Sequence, residues 1–172
     1  MDEQKRAGGY MIRPIEPRDD AAMAAIVRRS LETYGLNLPG TAYFDPELDH
    51  LSRFYAAKPL ERAYFVLEDA YGRVLGGAGL AEAPEGTRCA EVQKLYLSEE
   101  ARGQGLGRRL MERVEQAARS LGYRETYLET HSRLNAAIRL YERLGYRPVG
   151  RPPSAVHGAM DCFFRKRLAP EE

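Results

Sequence analysis

The chain has 172 residues, with 26 lysines and arginines against 25 aspartates and glutamates, so its formal net charge at pH 7 is +1. This balance excludes the strong basic footprint of a protein that binds nucleic acid or an anionic membrane. Cys89 and Cys162 are too few for a disulfide framework or a zinc site, and no run approaches the roughly 18 apolar residues of a membrane span. We expect one cytoplasmic domain over residues 10–172, after a flexible segment, residues 1–9, that has no signal-peptide core.

The first half of the chain predicts strands and helices in alternation. Pro17 suits a first helical turn, Gly35 suits a helix end, and Gly76, Gly77 and Gly79 favour a weakened or bulged strand. In chain order we predict a strand over 11–15, a helix over 17–35, a loop over 36–44, a helix over 45–57 and a hairpin of strands over 63–68 and 74–83.

The second half continues the same pattern. We predict a strand over 91–97, a helix over 106–121, a strand over 126–130, a helix over 134–144 and strands over 146–149 and 162–168. These elements predict an α/β (α+β) fold, with a mixed, mostly antiparallel sheet of about seven strands and about four helices on its two faces.

A glycine-rich loop joins the strand over 91–97 to the helix that follows. Gly103, Gly105 and Gly107 let the backbone approach a ligand, and the helix start directs unpaired amide hydrogens into the same loop. This combination is typical of an anion site, most naturally for a phosphate, although a tight turn with no ligand is the plainer alternative. The spacing excludes a dinucleotide fingerprint, whose third glycine would fall at Arg108, and a P-loop, which needs Gly-Lys-Ser/Thr.

The loop, Arg102 to Gly107, reads R-x-x-G-x-G and resembles the signature Q/R-x-x-G-x-G/A of the GNAT family of N-acetyltransferases. The resemblance extends from residues 11–15 through 137–146 to 161–168, nearly the whole chain. It implies a sheet with a splayed central strand pair, and acetyl-CoA as the acetyl donor. The cofactor-binding residues implied are Leu95, Tyr96 and Leu97 for the pantetheine arm, and Arg102, Gly103, Gln104, Gly105, Leu106, Gly107 and Arg108 around the pyrophosphate.

Many members of the family carry an asparagine that contacts the cofactor. It lies seven residues before the tyrosine that corresponds here to Tyr141. Here Leu134 occupies that position and Asn135 follows it. A shift of one residue turns a helical side chain by about 100°, so Asn135 does not simply inherit the contact. Asn135 stays a candidate cofactor residue, and capping of the helix is its alternative role.

Acetyl transfer needs a neutral amine, and deprotonating a lysine-like amine at pH 7 costs about 4.6 kcal/mol. Glu91 lies eleven residues before Arg102, the offset of the catalytic glutamate in histone-acetylating members of the family, and is our candidate general base. A solvent-facing carboxylate paired with a basic side chain is the alternative. Tyr141 matches the tyrosine of the family's A-I-x-L-Y-x-x-x-G-Y/F segment and is our candidate acid for the leaving thiolate, with a core tyrosine as the alternative.

The acceptor site of the family draws on the first loop and helices, the ends of the fourth and fifth strands and the loop before the last strand. Candidate acceptor-binding residues in these segments are Tyr34, Tyr43, Glu129, His131 and Asp161, and the same segments offer Asn37, Phe44, Asp45 and His157. Acids beside aromatic side chains suit a cationic amine, although a loop charge is more often solvated. The histidines lack the company of metal ligands, so we predict no metal.

The resemblance implies direct transfer of an acetyl group from acetyl-CoA to a primary amine of a small metabolite or amino acid. We expect no nucleic-acid or membrane partner, and dimers are common in the family. An enzyme that acetylates a protein lysine or N-terminus, and a CoA-binding sensor without catalysis, are the two alternatives.

Overall fold

A computed structural model describes residues 9–84 and 88–169 of the chain. We predicted a flexible segment over residues 1–9, and residues 1–8 of it lie outside the described part of the chain. None of the helices formed by the described residues is long and apolar enough to cross a membrane.

The described residues form a seven-stranded sheet in the order β1-β2-β3-β4-β5-β7-β6. Its only parallel pair among these strands is β4 with β5, and every other neighbouring pair is antiparallel. The predicted mixed, mostly antiparallel sheet is therefore confirmed. The strands are β1 (Met11–Pro14), β2 (Ala63–Glu68), β3 (Val74–Glu82), β4 (Cys89–Leu97), β5 (Glu125–Thr130), β6 (Arg147–Val149) and β7 (Cys162–Arg167).

Helices cover both faces of this sheet, as the alternation of buried residues along β2 requires. The helices within the described residues are α1 (Asp20–Thr33), α2 (Leu51–Ala56), α3 (Leu106–Ser120) and α4 (Asn135–Arg143). Tyr64 and Val66 pack in the cluster of α1 and α2, whereas Phe65 and Leu67 pack in the cluster of α3.

The second helix begins later than the sequence predicts. A helix over 45–57 was expected from Asp45 and Pro46, but α2 starts at Leu51, after short 3-10 turns at Ala42–Phe44 and Leu48–His50. The side chain of Asp45 is engaged in ion pairs with Lys94 and His157 instead of capping a helix.

The glycines of β3 make room for Tyr64 of the neighbouring strand. A Cβ atom on Gly77 would lie 2.6 Å from the Tyr64 ring, and one on Gly79 would lie 2.4 Å from it. The Tyr64 hydroxyl donates a hydrogen bond of 2.8 Å to the carbonyl oxygen of Lys94 in β4. Tyr64 therefore crosses β3 at its glycines and reaches the backbone of β4.

The irregularity predicted near the glycines of β3 is present on both sides of that strand. Against β2, the residue before Gly76 is extra in β3, because Leu67 pairs with Gly76 and Glu68 with Val74. Against β4, the extra residue lies in β4. Gly77 pairs with Tyr96 and Gly79 with Gln93, so β4 spends one residue more than β3 between the two pairs. Lys94, within this bulge, has a φ of 50° and is the one described non-glycine residue with a positive φ. A bulge of this kind redirects side chains and often lies next to an active site.

Candidate active site

The splay between β4 and β5 opens a cavity at the candidate site. The two strands pair from Cys89 opposite Glu125 to Glu91 opposite Tyr127, and the remaining residues of β4 have no partner in β5. A cavity of about 340 Å³ opens beyond the paired part. Its lining residues come from α1, the end of β4, the glycine-rich loop and α4: Ser30, Tyr34, Leu95, Tyr96, Leu97, Arg102, Gly103, Gly105, Leu106, Gly107, Arg108, Leu134, Ala136, Ala137, Leu140, Arg143 and Leu144.

The glycine-rich loop forms one end of this cavity. Gly103 and Gly105 have φ values of 74° and 73°, which favour glycine, and Gly105 is the N-cap of α3. The first intrahelical hydrogen bond of α3 runs from the Arg109 amide to the Gly105 carbonyl, so the amides just before Arg109 have no intrahelical acceptor. Arg102 is fixed by hydrogen bonds from Nε to the Leu97 carbonyl and from Nη2 to Ser30 Oγ.

The chemistry of this lining fits a CoA thioester. Apolar walls from β4 and α4 suit a pantetheine arm, and unpaired amides with the positive end of a helix dipole suit a pyrophosphate. Arg102, Arg108 and Arg143 add cationic side chains to the same lining.

Two of the predicted cofactor residues lie outside the cavity lining. The Gln104 side chain accepts a hydrogen bond from the Tyr10 hydroxyl at 3.0 Å and donates one to the Glu100 carbonyl at 2.7 Å. Asn135 is exposed at the first position of α4, while Leu134 and Ala136 line the cavity. The capping role considered for Asn135 is wrong, because Leu134 occupies the N-cap position.

Glu91 is a buried carboxyl group at the point where β4 and β5 separate. It is only 7% exposed, and its described hydrogen-bond partner is the Gln93 side chain, whose Nε2 donates to Glu91 Oε2 at 3.4 Å. Burial, together with the nearby charge of Glu129, raises the pKa of Glu91 from 4.5 to about 7. A carboxyl group with such a pKa can accept a proton at neutral pH and hold it.

Tyr141 is buried in α4, between residues that line the cavity. Its ring packs 5.9 Å from Tyr146 and 6.1 Å from Phe164, centroid to centroid, and its hydroxyl has no hydrogen-bond partner within the described residues. Burial raises the pKa of the Tyr141 phenol above its usual value of 10.0, so it carries its proton at neutral pH. The residue therefore has the packing of a core tyrosine and a protonated hydroxyl that is free to donate.

The candidate acceptor residues are placed in several different surroundings. Glu129 is the one that lies beside Glu91, since oxygen atoms of both, with a ring nitrogen of His157, fall within 4.8 Å of one another. The Tyr34 side chain lines the cofactor cavity, and the Tyr43 hydroxyl donates to Glu32 at 2.6 Å.

His131 and Asp161 are engaged in turn structure. His131 Nδ1 accepts from the Arg133 amide, and Asp161 accepts from the amide and hydroxyl of Ser132. The structure therefore does not gather these two residues around Glu91.

Lys94, a buried cation beside the acidic residues, is the site residue that sequence reasoning missed. Its side chain is 3% exposed, and Nζ lies 2.7 Å from Asp45 Oδ2 and 3.2 Å from Glu47 Oε1. A lysine within a strand does not indicate burial in the sequence. The burial of Lys94 is explained by the bulge of β4 and by the carboxylates of the loop before α2. Asp45 and His157 were among the residues offered by the acceptor segments, and both belong to this cluster.

Comparison with known proteins agrees with this geometry. The model of the acetyltransferase (GNAT) family matches residues 25–146. The uncharacterized N-acetyltransferase YjgM of Escherichia coli K12 is 35% identical over 158 residues, which cover 90% of this chain and 92% of that protein.

Solved structures share the fold. A GNAT acetyltransferase of Staphylococcus aureus Mu50 superposes with a TM-score of 0.82 at 14% identity, over 93% of this chain and 99% of its own. A GNAT phosphinothricin acetyltransferase from Sinorhizobium meliloti, in complex with acetyl-CoA, gives a TM-score of 0.71 at 25% identity, over 93% of this chain and 89% of its own. The chain therefore belongs to the GNAT family and is an N-acetyltransferase.

Proposed function

We propose that this enzyme transfers an acetyl group from acetyl-CoA directly to a primary amine of a small metabolite or amino acid. The observation that carries the proposal is Glu91, a buried carboxyl group with a pKa of about 7 on the strand whose end lines the cavity. Acetyl-CoA supplies an activated thioester carbonyl, and the phosphinothricin acetyltransferase of similar fold was solved with that molecule bound.

In this proposal the cavity binds the donor and Glu91 takes the proton of the acceptor. The loop amides of Leu106 and Gly107 hold the pyrophosphate, and Leu95 to Leu97 hold the pantetheine arm through their backbone. Glu91 removes a proton from the ammonium form of the acceptor, directly or through a water molecule, which lowers the cost of generating the neutral amine. Tyr141 keeps its proton at neutral pH and can donate it to the departing thiolate.

The charge around Glu91 supports a cationic acceptor. Asp45, Glu47 and Glu129 bring three carboxylates to this region, against the two cations Lys94 and His157, which already pair with them. A substrate ammonium group is therefore favoured over a substrate carboxylate at this point. A protein lysine or N-terminus carries the same ammonium group, and it remains the second candidate acceptor.

Location and assembly complete the proposal. Neither Cys89 nor Cys162 forms a disulfide bond within the described residues, which suits the reducing cytoplasm where we place the enzyme. A homodimer is part of the proposal from family resemblance alone, and light scattering measures it directly.

The test is thiol release from acetyl-CoA against a panel of amino acids, polyamines, aminoglycosides and short peptides. Release stimulated by free amines over peptides supports the proposal, and preference for peptides favours the protein-modifying alternative. Cofactor binding in a calorimeter without release across the panel contradicts catalysis and favours a CoA sensor.

A further inference from the structure

A series of ion pairs, here called the ionic chain, runs from the loop between α1 and α2 to the neighbourhood of Glu91, the proposed base. Glu47 and Asp45 both contact Lys94 Nζ, Asp45 contacts His157, and His157 contacts Glu129. The chain therefore joins four segments: the α1–α2 loop, the bulge of β4, the β6–β7 loop and β5. It ends within 4.8 Å of Glu91, and none of its residues lines the donor cavity.

His157 is held between two carboxylates. Its Nε2 lies 2.8 Å from Asp45 Oδ1, and its Nδ1 lies 3.7 Å from Glu129 Oε2. Its backbone amide also donates to Glu129 Oε2 at 3.3 Å. Hydrogen bonds to Asp45 and then to Glu129 raise the pKa of His157 from 6.5 to about 10, so the ring is an imidazolium at neutral pH.

This imidazolium is also the point where two loops meet. Beside the contact with Asp45, the Ala159 amide donates a hydrogen bond of 3.1 Å to the Gly40 carbonyl. A Cβ atom on Gly40 would lie 2.9 Å from the Ala159 nitrogen, and Gly40 has a φ of 79°. The α1–α2 loop and the β6–β7 loop are therefore packed backbone to backbone near His157.

Glu129 is held as a carboxylate at the other end of the chain. Burial acts to raise its pKa, but hydrogen bonds from His157 and from the Tyr127 hydroxyl, at 3.0 Å, outweigh burial and lower it. Glu129 thus keeps a negative charge beside Glu91, and this charge opposes the ionisation of Glu91.

The groups that act on Glu91 come from every neighbouring element. They are Lys94 on its own strand, Glu129 on β5, His157 on the β6–β7 loop, Asp45 on the α1–α2 loop through its ion pairs, and the Tyr55 phenol of α2. Among these groups, Glu129 is the carboxylate that lies beside Glu91. His157 is the cation that contacts Glu129.

We propose that Glu129 and His157 are positioning residues for acetyl transfer, in which Glu129 holds a fixed negative charge against the base Glu91, and His157 fixes that charge while joining the two loops. This inference rests on the proposed function, because it assigns Glu91 the role of base. Glu129 favours the protonated form of Glu91, and His157 opposes this effect. The two residues therefore set the pH at which the base becomes active, in opposite directions.

The test is the pH profile of kcat/KM for the acceptor in Glu129→Gln and His157→Gln, with His50→Gln as the matched control on the surface. Removing the Glu129 charge moves the acid limb to lower pH, and removing the His157 cation moves it to higher pH, each by about one pH unit, or about tenfold in rate on that limb. The control keeps the limb of the parent enzyme. If the acid limb of kcat/KM stays at the pH of the parent enzyme in both folded variants, the proposal is overturned.

A second measurement works without turnover, on the parent protein and on Glu129→Gln. Nitrogen NMR of the His157 ring, with carboxyl carbon NMR of Glu91, follows both titrations directly. An imidazolium at pH 8, and a Glu91 midpoint near 7 that falls in Glu129→Gln, support the proposal even where no acceptor turns over. A neutral His157 ring at pH 8 overturns it, whereas absence of acetyl transfer alone contradicts only the proposed function.

Discussion

Replacing Glu91 by glutamine should make the enzyme more stable and less active at the same time. The pKa of Glu91 is about 7 in the folded protein against an ordinary value of 4.5, so the folded state binds this proton more tightly than the unfolded chain. The associated stability is fully present below pH 4.5 and is lost as the pH rises through about 7. This difference corresponds to about 3 kcal/mol of unfolding free energy at pH 8.

Glutamine keeps the size of the side chain and carries no charge to be buried. We therefore expect Glu91→Gln to melt several degrees above the parent protein at pH 8, up to roughly 10 °C, and close to it at pH 4.5. In the parent, kcat/KM at pH 6 should be about one tenth of its plateau, because about one carboxyl group in ten is ionised. The variant should lose about 10²–10⁴-fold in kcat/KM at pH 8 and show no acid limb near pH 7.

Calorimetric melting at pH 4.5 and pH 8, with kcat/KM measured from pH 5.5 to pH 9, tests both parts. Glu142→Gln, an exposed site on α4, is the control and should change neither melting nor rate. A Glu91→Gln variant with unchanged melting at pH 8 and an unchanged rate would refute both the burial and the catalytic role of this carboxyl group.

Three further changes test other parts of the site. Tyr141→Phe should keep the packing and lower kcat roughly 10²-fold, and an unchanged kcat would remove the acid role. In Gly107→Leu the added Cβ lies 3.2 Å from Leu140, and the side chain should weaken acetyl-CoA binding about tenfold or more by calorimetry; unchanged affinity would place the donor elsewhere. Tyr64→Phe removes the donor to the Lys94 carbonyl and should cost about 1–3 kcal/mol of unfolding free energy, so denaturation at the same midpoint would contradict its bracing role.

The elements and the glycine-rich loop could be predicted because they depend on local patterns. Apart from the start of α2, periodicity and helix signals predicted strands and helices close to their observed bounds. The spacing of Gly103, Gly105 and Gly107 indicated an anion site before a helix. The splay of β4 from β5 came from family resemblance and agrees with the pairing that ends at Glu91.

Features that depend on contacts between distant segments could not be predicted. The glycines of β3 indicated the irregularity of β3 beside Gly76, but not the bulge of β4 at Lys94, which lies where Tyr64 crosses β3. The late start of α2 depends on Asp45 being drawn into ion pairs 49 and 112 residues away in the chain, as the numbering of Lys94 and His157 shows. No local pattern reports such pairings, so the ionic chain beside the base was visible only in the fold.

Single-turnover transfer from acetyl-CoA labelled with ¹³C in its acetyl group distinguishes direct transfer to an amine from transfer through the protein. Excess enzyme is mixed with the labelled donor and the best acceptor of the panel. After quenching, the masses of the products and of the intact protein are measured by mass spectrometry. In direct transfer, the label passes to the acceptor nitrogen in step with CoA release, and the protein gains no acetyl group. Label that stays in acetyl-CoA, or that first appears on the protein, would contradict direct transfer to an amine.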